Sequence, residues 1–202
     1  MGEIPVIQIY LWGNLVGAMS WDDERGYADF QFDDRFRRSG LDIAPLMMPL
    51  ARTRGIVSFP TNARTKCFSG LPGLIADALP DKFGSQLITE WFAQQGKTEG
   101  MITPLDRLCY VGKRAMGALE FVPAANVEGV NESTEIYIRE LMALSDSIFK
   151  ERSRFQELIH QNDKSILDIL KVGTSAGGAK PKAIIAYKEE TGEVRSGQVP
   201  AP

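Results

Sequence analysis

The sequence is poorest in the residues that build metal centres and histidine-dependent active sites. One histidine, His160, stands in 202 residues, so neither a zinc cluster nor a Ser-His triad has support, and His160 reads as a helix-surface residue. Cysteine is almost as scarce: Cys67 and Cys109 are widely spaced and lack ligand-like neighbours. That usage fits a reduced, cytoplasmic protein with structural thiols, with a bridge between the two left open. The first residues, M-G-E-I-P-V-I-Q, have neither the basic start nor the apolar run of a secretory signal. No stretch approaches the ~20 apolar residues of a membrane-spanning helix. A formal charge of -3 argues against a nucleic-acid surface spread over the whole molecule. Arg35, Arg37 and Arg38, or Arg52, Arg54 and Arg64, could still form local patches, although short charge runs are usually solvated faces. What remains is an ordinary globular composition, 44% hydrophobic and 24% charged, in a chain long enough to bury a core without disulfide or metal staples.

Hydrophobic patterning predicts an opening antiparallel unit. Residues 4–12 and 15–21 are apolar-rich runs separated by Gly13-Asn14, and they read as a β-hairpin with those two residues as its turn. Residues 27–32 alternate, which sets Ala28, Phe30 and Phe32 on one face of a third strand. Between 33 and 60, Pro45, Pro49 and Gly55 interrupt any long element, and 56–59 is expected as an edge strand. Helix signals dominate 71–93, with Pro72 and Pro80 expected in the first turns of a short helix and a longer one. In the longer helix Phe83, Leu87 and Trp91 are spaced i, i+4, i+8 beside Gly84, Ile88 and Phe92, an apolar stripe that Gly96 ends as a cap. Thr103 as N-cap and Pro104 in the first helical position start another helix through Tyr110, closed by Gly112, and 117–122 reads as a strand.

The polar, irregular stretch 124–131 is the candidate boundary between two parts. Beyond it, 134–149 is an amphipathic helix with Tyr137, Leu141, Leu144 and Ile148 on one face. A final hairpin follows from 182–187, a turn at Glu190-Thr191-Gly192, and 193–199. The fold class is α+β, with an N-terminal antiparallel β subdomain and helices over 1–123 and a second part over 132–202.

Residue types converge on one chemical task only at 172–182, V-G-T-S-A-G-G-A-K-P-K. Gly173, Gly177 and Gly178 let several backbone N–H groups turn inward on one phosphate. Thr174 and Ser175 add hydroxyl donors, and Lys180 and Lys182 add positive charge. The plainer reading is a surface turn, but the apolar runs on either side favour a loop pinned between packed elements. The spacing is neither that of the Walker A loop nor that of the Rossmann dinucleotide fingerprint.

Taken in order, the hairpin I-Y-L-W-G-N-L-V-G-A-M-S-W, the F-Q-F-D after it, P-L-M-M-P-L, F-S-G-L-P-G-L-I-A-D-A-L-P-D-K-F-G, T-P-L-D-R-L-C-Y-V-G and M-G-A-L-E-F-V-P resemble the N-terminal half of the HipA family. That family comprises serine/threonine kinases that are the toxins of bacterial toxin–antitoxin modules. The resemblance implies that 132–202 contains a helical connection and the start of a protein-kinase-like nucleotide-binding lobe. It implies that Thr174, Ser175, Ala176, Gly177, Gly178, Ala179 and Lys182 match the family's loop over the ATP phosphates, with Gly177 in place of alanine. Ser175 is then the candidate autophosphorylation site. The full-length protein would use ATP and Mg²⁺, and its expected partners are a HipB-like helix-turn-helix antitoxin and a protein substrate such as an aminoacyl-tRNA synthetase. DNA would be reached only through the antitoxin, and no membrane is involved. A homodimer through exposed edge strands is a further expectation.

The family's metal-binding acidic groups, acceptor-orienting aspartate and phosphate-binding lysine are expected beyond Pro202. No catalytic residue is therefore assigned within this chain, and on its own it should bind no cofactor and be inert. Asp22-Asp23 and Asp33-Asp34 do not substitute for those groups, since they sit in turns and read as solvated caps. The alternative is a stand-alone binding protein, similar to the HipA N-terminal domain, that restrains a separately encoded kinase.

Overall fold

The alternating stretches near the N-terminus fold as expected into paired strands. The computed structural model describes residues 6–94, 96–115, 117–122 and 185–196. These belong to two units, one taking in 1–79 and 103–126, the other 80–102 and 127–202. In the first unit, β1 (Val6–Leu11), β2 (Asn14–Asp22), β3 (Tyr27–Phe32), β4 (Val57–Ser58) and β5 (Leu119–Val122) form an antiparallel sheet in the order β4-β3-β2-β1-β5. Ile7 lies opposite Met19, Met19 opposite Phe30, and Ile9 opposite Phe121. Directly paired residues share a face, so these side chains, all buried, define the core side of the sheet. A bulge at Val16, between the pairs Ile9–Gly17 and Tyr10–Leu15, places Val16 and Gly17 in the interior consecutively.

The turn of the first hairpin differs from the expected one. Leu11 pairs with Asn14, so the turn residues are Trp12 and Gly13, at φ 50° and 75°, rather than Gly13 and Asn14. Positive φ at both central positions marks a two-residue type I′ connection, one of the turn types whose twist matches that of the strands. Asn14 acts from the flank instead, its amide donating to the Trp12 carbonyl at 3.0 Å.

Asp33 caps α1 (Asp34–Ser39): its carboxylate accepts from the backbone N–H groups of Arg35 and Phe36 at 2.8 and 3.1 Å. Phe36 is buried and stacks on Phe32, whose ring is edge-on to Phe30. The free edge of β3 is closed by β4 and by Gly70, whose carbonyl accepts from Ala28 N–H at 2.8 Å. Gly70 has φ 75°, and a Cβ there would lie 2.8 Å from the Gly26 carbonyl and 2.9 Å from Tyr27 Cα. The glycine of the F-S-G-L-P segment is thus required by close approach of backbone to backbone. Leu71 and Ile75 are buried behind it. α2 (Gly73–Ala76) has Pro72 at its N-cap, one position earlier than expected.

α4 (Pro104–Val111) begins as its sequence predicts, with Thr103 and Asp106 forming a reciprocal capping box and Pro104 in the first turn. It buries Leu105, Leu108, Tyr110 and Val111 and packs beside β5. In the turn that follows, Gly112–Arg114, the buried Arg114 guanidinium donates to the Tyr110 carbonyl at 2.6 Å and lies over the Tyr110 ring. Burial pushes the Tyr110 phenol above its ordinary pKa and lowers that of Arg114.

In the second unit, α3 (Lys82–Gln94) is capped by Asp81, whose carboxylate accepts from Gly84 N–H at 2.8 Å. Pro80 therefore precedes the cap instead of occupying the first turn. The buried face runs through Gly84, Ile88 and Phe92. Trp91, from the neighbouring stripe, is half-buried, and the side chains of Phe83 and Leu87 lie outside the described residues. Gly96 ends the helix with φ 80°. The closing hairpin is present as β6 (Ile185–Lys188) and β7 (Glu193–Ser196), with Tyr187 opposite Val194. The expected boundary at 124–131 and the helix at 134–149 lie outside the described residues. Among the described residues no helix is long and apolar enough to cross a membrane.

Candidate interaction surface

The 40–56 segment joins α1 to β4 without a helix of its own, and a series of local restraints fixes its path. Gly40 closes α1 in the left-handed conformation. The Asp42 carboxylate accepts from Leu50 N–H at 3.3 Å, which clamps the two limbs of the segment together. Met48 N–H reaches the Ala44 carbonyl at 2.9 Å, and the Pro49 carbonyl accepts from both Arg52 and Thr53 N–H. Pro45 and Pro49 preset the backbone on either side of the tip, while Met48, Leu50 and Thr53 are buried. The outcome is a closed loop with an anchored base and an apolar tip. Leu46 and Met47 are 86% and 80% exposed, and Ile56, where the segment enters β4, is 68% exposed.

The cations around this loop, five arginines, outnumber its carboxylates, Asp33, Asp34 and Asp42. Arg35, Arg38, Arg52 and Arg54 are exposed, and none makes an ion pair with the described residues. Arg37 faces Asp34 at 3.7 Å. Antiparallel pairing puts α1, the entry to β4 and the Trp12 turn toward one end of the sheet, because β3 ends, β4 begins and β1 turns into β2 there. At the opposite end, the β2–β3 turn, the one arginine is engaged by carboxylates of its own strands. Arg25 bridges Asp22 and Asp29, both at 2.5 Å, and lies over the Tyr27 ring. The Ser58 hydroxyl donates to the second Asp29 oxygen. Backbone and side-chain hydrogen bonds from Arg25 hold Asp22 below the ordinary carboxylate range. Ser58, followed by Arg25, does the same for Asp29.

The residues singled out for phosphate binding, Thr174, Ser175, Ala176, Gly177, Gly178, Ala179 and Lys182, lie outside the described residues, as does His160. Of that region the structure describes the hairpin β6–β7, with Gly192 at φ 68° in its turn. The basic clusters are divided by the fold: Arg35, Arg38, Arg52 and Arg54 belong to the α1 end, whereas Arg64 follows β4 toward the other end. Asp33 is a helix cap and Asp22 a turn cap, as expected for these pairs. Cys67 is exposed, Cys109 is half-buried, and no disulfide joins them. Among the described residues no cluster of His, Cys, Asp and Glu could hold a metal ion. Sequence reasoning missed the outward Leu46-Met47 pair, although two prolines enclosing the three residues L-M-M was the available signal.

Comparison with known proteins gives one result that bears on this domain. The family model for the HipA N-terminal domain matches residues 7–122, more than half the chain. The stretch takes in the whole five-stranded sheet save Val6, together with α1 to α4 and the arginine-lined loop. No curated protein matches the chain.

Proposed function

The chain belongs to the HipA N-terminal domain family, and on that premise we propose that it is the N-terminal region of a HipA-like kinase that transfers phosphate from Mg-ATP to serine or threonine of a protein target. The observation that carries this reading is an order along the chain: a HipA N-terminal domain to Val122, then the glycine loop at 172–182, then the β6–β7 hairpin. A start of a kinase-like lobe would have that order, with a phosphate-covering loop leading into a strand pair.

In this reading the backbone N–H groups of Ala176, Gly177, Gly178 and Ala179 and the hydroxyls of Thr174 and Ser175 bind nucleotide phosphate, and Lys182 balances its charge. Ser175 is the modification site; a phosphate there, with about two negative charges, would repel the nucleotide and hold the loop away. Among the described residues no cluster of His, Cys, Asp and Glu could hold the metal ion of Mg-ATP, and no step of the transfer is derived from them. A HipB-like antitoxin and a protein substrate such as an aminoacyl-tRNA synthetase are the partners proposed with this reading.

Calorimetric titration with Mg-ATP tests it on this chain and on the longest protein its reading frame encodes. Binding is expected to be weak or absent in the 202-residue chain. In a longer protein carrying the catalytic lobe it should be tight, lost in Gly178→Val and weakened about tenfold or more in Lys182→Ala. Unchanged affinity in both variants overturns the role of the loop. A frame without a lobe favours the other reading, a binding protein that restrains a separately encoded kinase.

A further inference from the structure

We propose that the loop 41–56, together with α1, is a docking surface for an acidic protein segment that carries apolar side chains among its carboxylates. Two independent observations fall on this one stretch of chain. The first is apolar: this one segment holds Leu41, Leu46, Met47 and Ile56, four of the ten large hydrophobic side chains exposed among the described residues. Single exposed hydrophobics are ordinary, whereas a concentration of them marks a binding surface. Their display is fixed by structure, because the clamp between Asp42 and Leu50 and the burial of Met48 and Leu50 hold the tip outward.

The second is electrostatic. Every cation from 35 to 56 is arginine, and none is lysine. Of the nearby carboxylates, Asp33 caps α1 and Asp42 holds the loop closed, while the exposed Asp34 lies 3.7 Å from Arg37 and leaves the other four arginines in excess. Arg35, Arg38, Arg52 and Arg54 therefore have charge to offer a partner. Guanidinium forks match carboxylates in a bidentate manner, and arginine and methionine are enriched at protein interfaces where lysine is depleted. A lipid surface would attract lysine as readily as arginine. A nucleic-acid backbone would leave the Leu46-Met47 tip without apolar contact. A second copy meeting this face about a two-fold axis would set one net-positive patch against another. An acidic, partly apolar protein segment satisfies both halves of the surface.

Fluorescence anisotropy with short labelled peptides tests the proposal on the 202-residue chain. A peptide of glutamate and leucine at helical spacing should bind. Leu46→Ser with Met47→Ser should weaken it about tenfold or more, since both side chains would leave water on docking. Leu46→Met should preserve binding. Arg52→Ala with Arg54→Ala should weaken it roughly tenfold at low salt, an effect that fades as salt is raised. All four positions are exposed, and unchanged thermal melting of each variant confirms that the fold is intact. The proposal fails if an equally charged peptide of glutamate and serine binds as well. It also fails if phosphatidylserine vesicles or duplex DNA bind in preference to the glutamate–leucine peptide, or if the serine variant binds that peptide like the wild type.

Discussion

The two ends of the five-stranded sheet use similar residues to opposite purposes. At the β2–β3 end, polar side chains are spent inward: Arg25 joins Asp22 to Asp29, Ser58 holds Asp29 from the neighbouring strand, and Gly70 lets a loop backbone lie against Gly26 and Tyr27. At the other end, the fold is held by the Asp33 cap, the Asp42 clamp and groups away from the surface. Phe36, Met48 and Leu50 are buried, and backbone N–H and carbonyl groups set the turns. The arginines and the Leu46-Met47 tip are left over. Charge on a surface is therefore poor evidence of purpose until its partners are known, because exposed ion pairs contribute little to stability. What separates the ends is whether the arginines are already engaged within the chain: Arg25 is, whereas Arg35, Arg38, Arg52 and Arg54 make no ion pair with the described residues.

The largest test of that contrast is at the closed end. Gly70→Ala puts a side chain on a left-handed backbone and drives its Cβ into the Gly26 carbonyl, so a loss of about 3 kcal/mol is expected. In denaturant unfolding the midpoint should fall with the slope unchanged. If Gly70→Ala unfolds like the wild type, the contrast between a braced end and an open one is wrong. The opposite sign is expected from Trp12→Asn at the open end. Trp12 is 72% exposed in a left-handed turn position that asparagine tolerates far better. The substitution should stabilise the protein by about 1 kcal/mol, read as a higher melting temperature. A loss of stability would mean that the indole holds the fold and that this end is braced too.

How far each end was legible follows from the range of the forces that build it. The strands, the Phe30 and Phe32 face, the Thr103-Pro104 helix start and the edge strand near Val57 all rest on local spacing and capping, and the sequence predicts them. The first turn was displaced by one residue because glycine and asparagine at 13 and 14 suggested a pair, whereas strand register assigns the second place to Gly13 and the first to Trp12. Register is a property of two strands and cannot be read from either alone. The arginines were visible as local runs, but their lack of ion pairs depends on where Asp34 and Asp42 point. The outward Leu46 and Met47 depend on which side of Pro49 meets the core. The lowered pKa values of Asp22 and Asp29 arise from Arg25 and, in the second case, from a serine on another strand. No spacing within the turn reveals that serine.

The smallest expected effect is a dependence on acid that belongs to one end only. Asp22 and Asp29 have lower pKa values in the folded protein than in the unfolded chain. Below the unfolded value, about 4, the unfolded chain takes up protons that the folded protein still refuses. Stability contributed by these two groups is therefore complete above that pH and is lost as the pH falls through their folded values. Both carboxylates are exposed enough for solvent and salt to screen them, so the change in melting temperature should be small and smaller still in high salt. Asp22→Asn with Asp29→Asn should flatten the part of the melting profile below pH ~4 that these groups supply. Arg52→Ala with Arg54→Ala, at the open end, should leave that slope as it is, because those arginines hold no carboxylate among the described residues in place. An equal flattening by the arginine pair would show that the open end is ion-paired after all, and would remove the charge on which peptide docking relies.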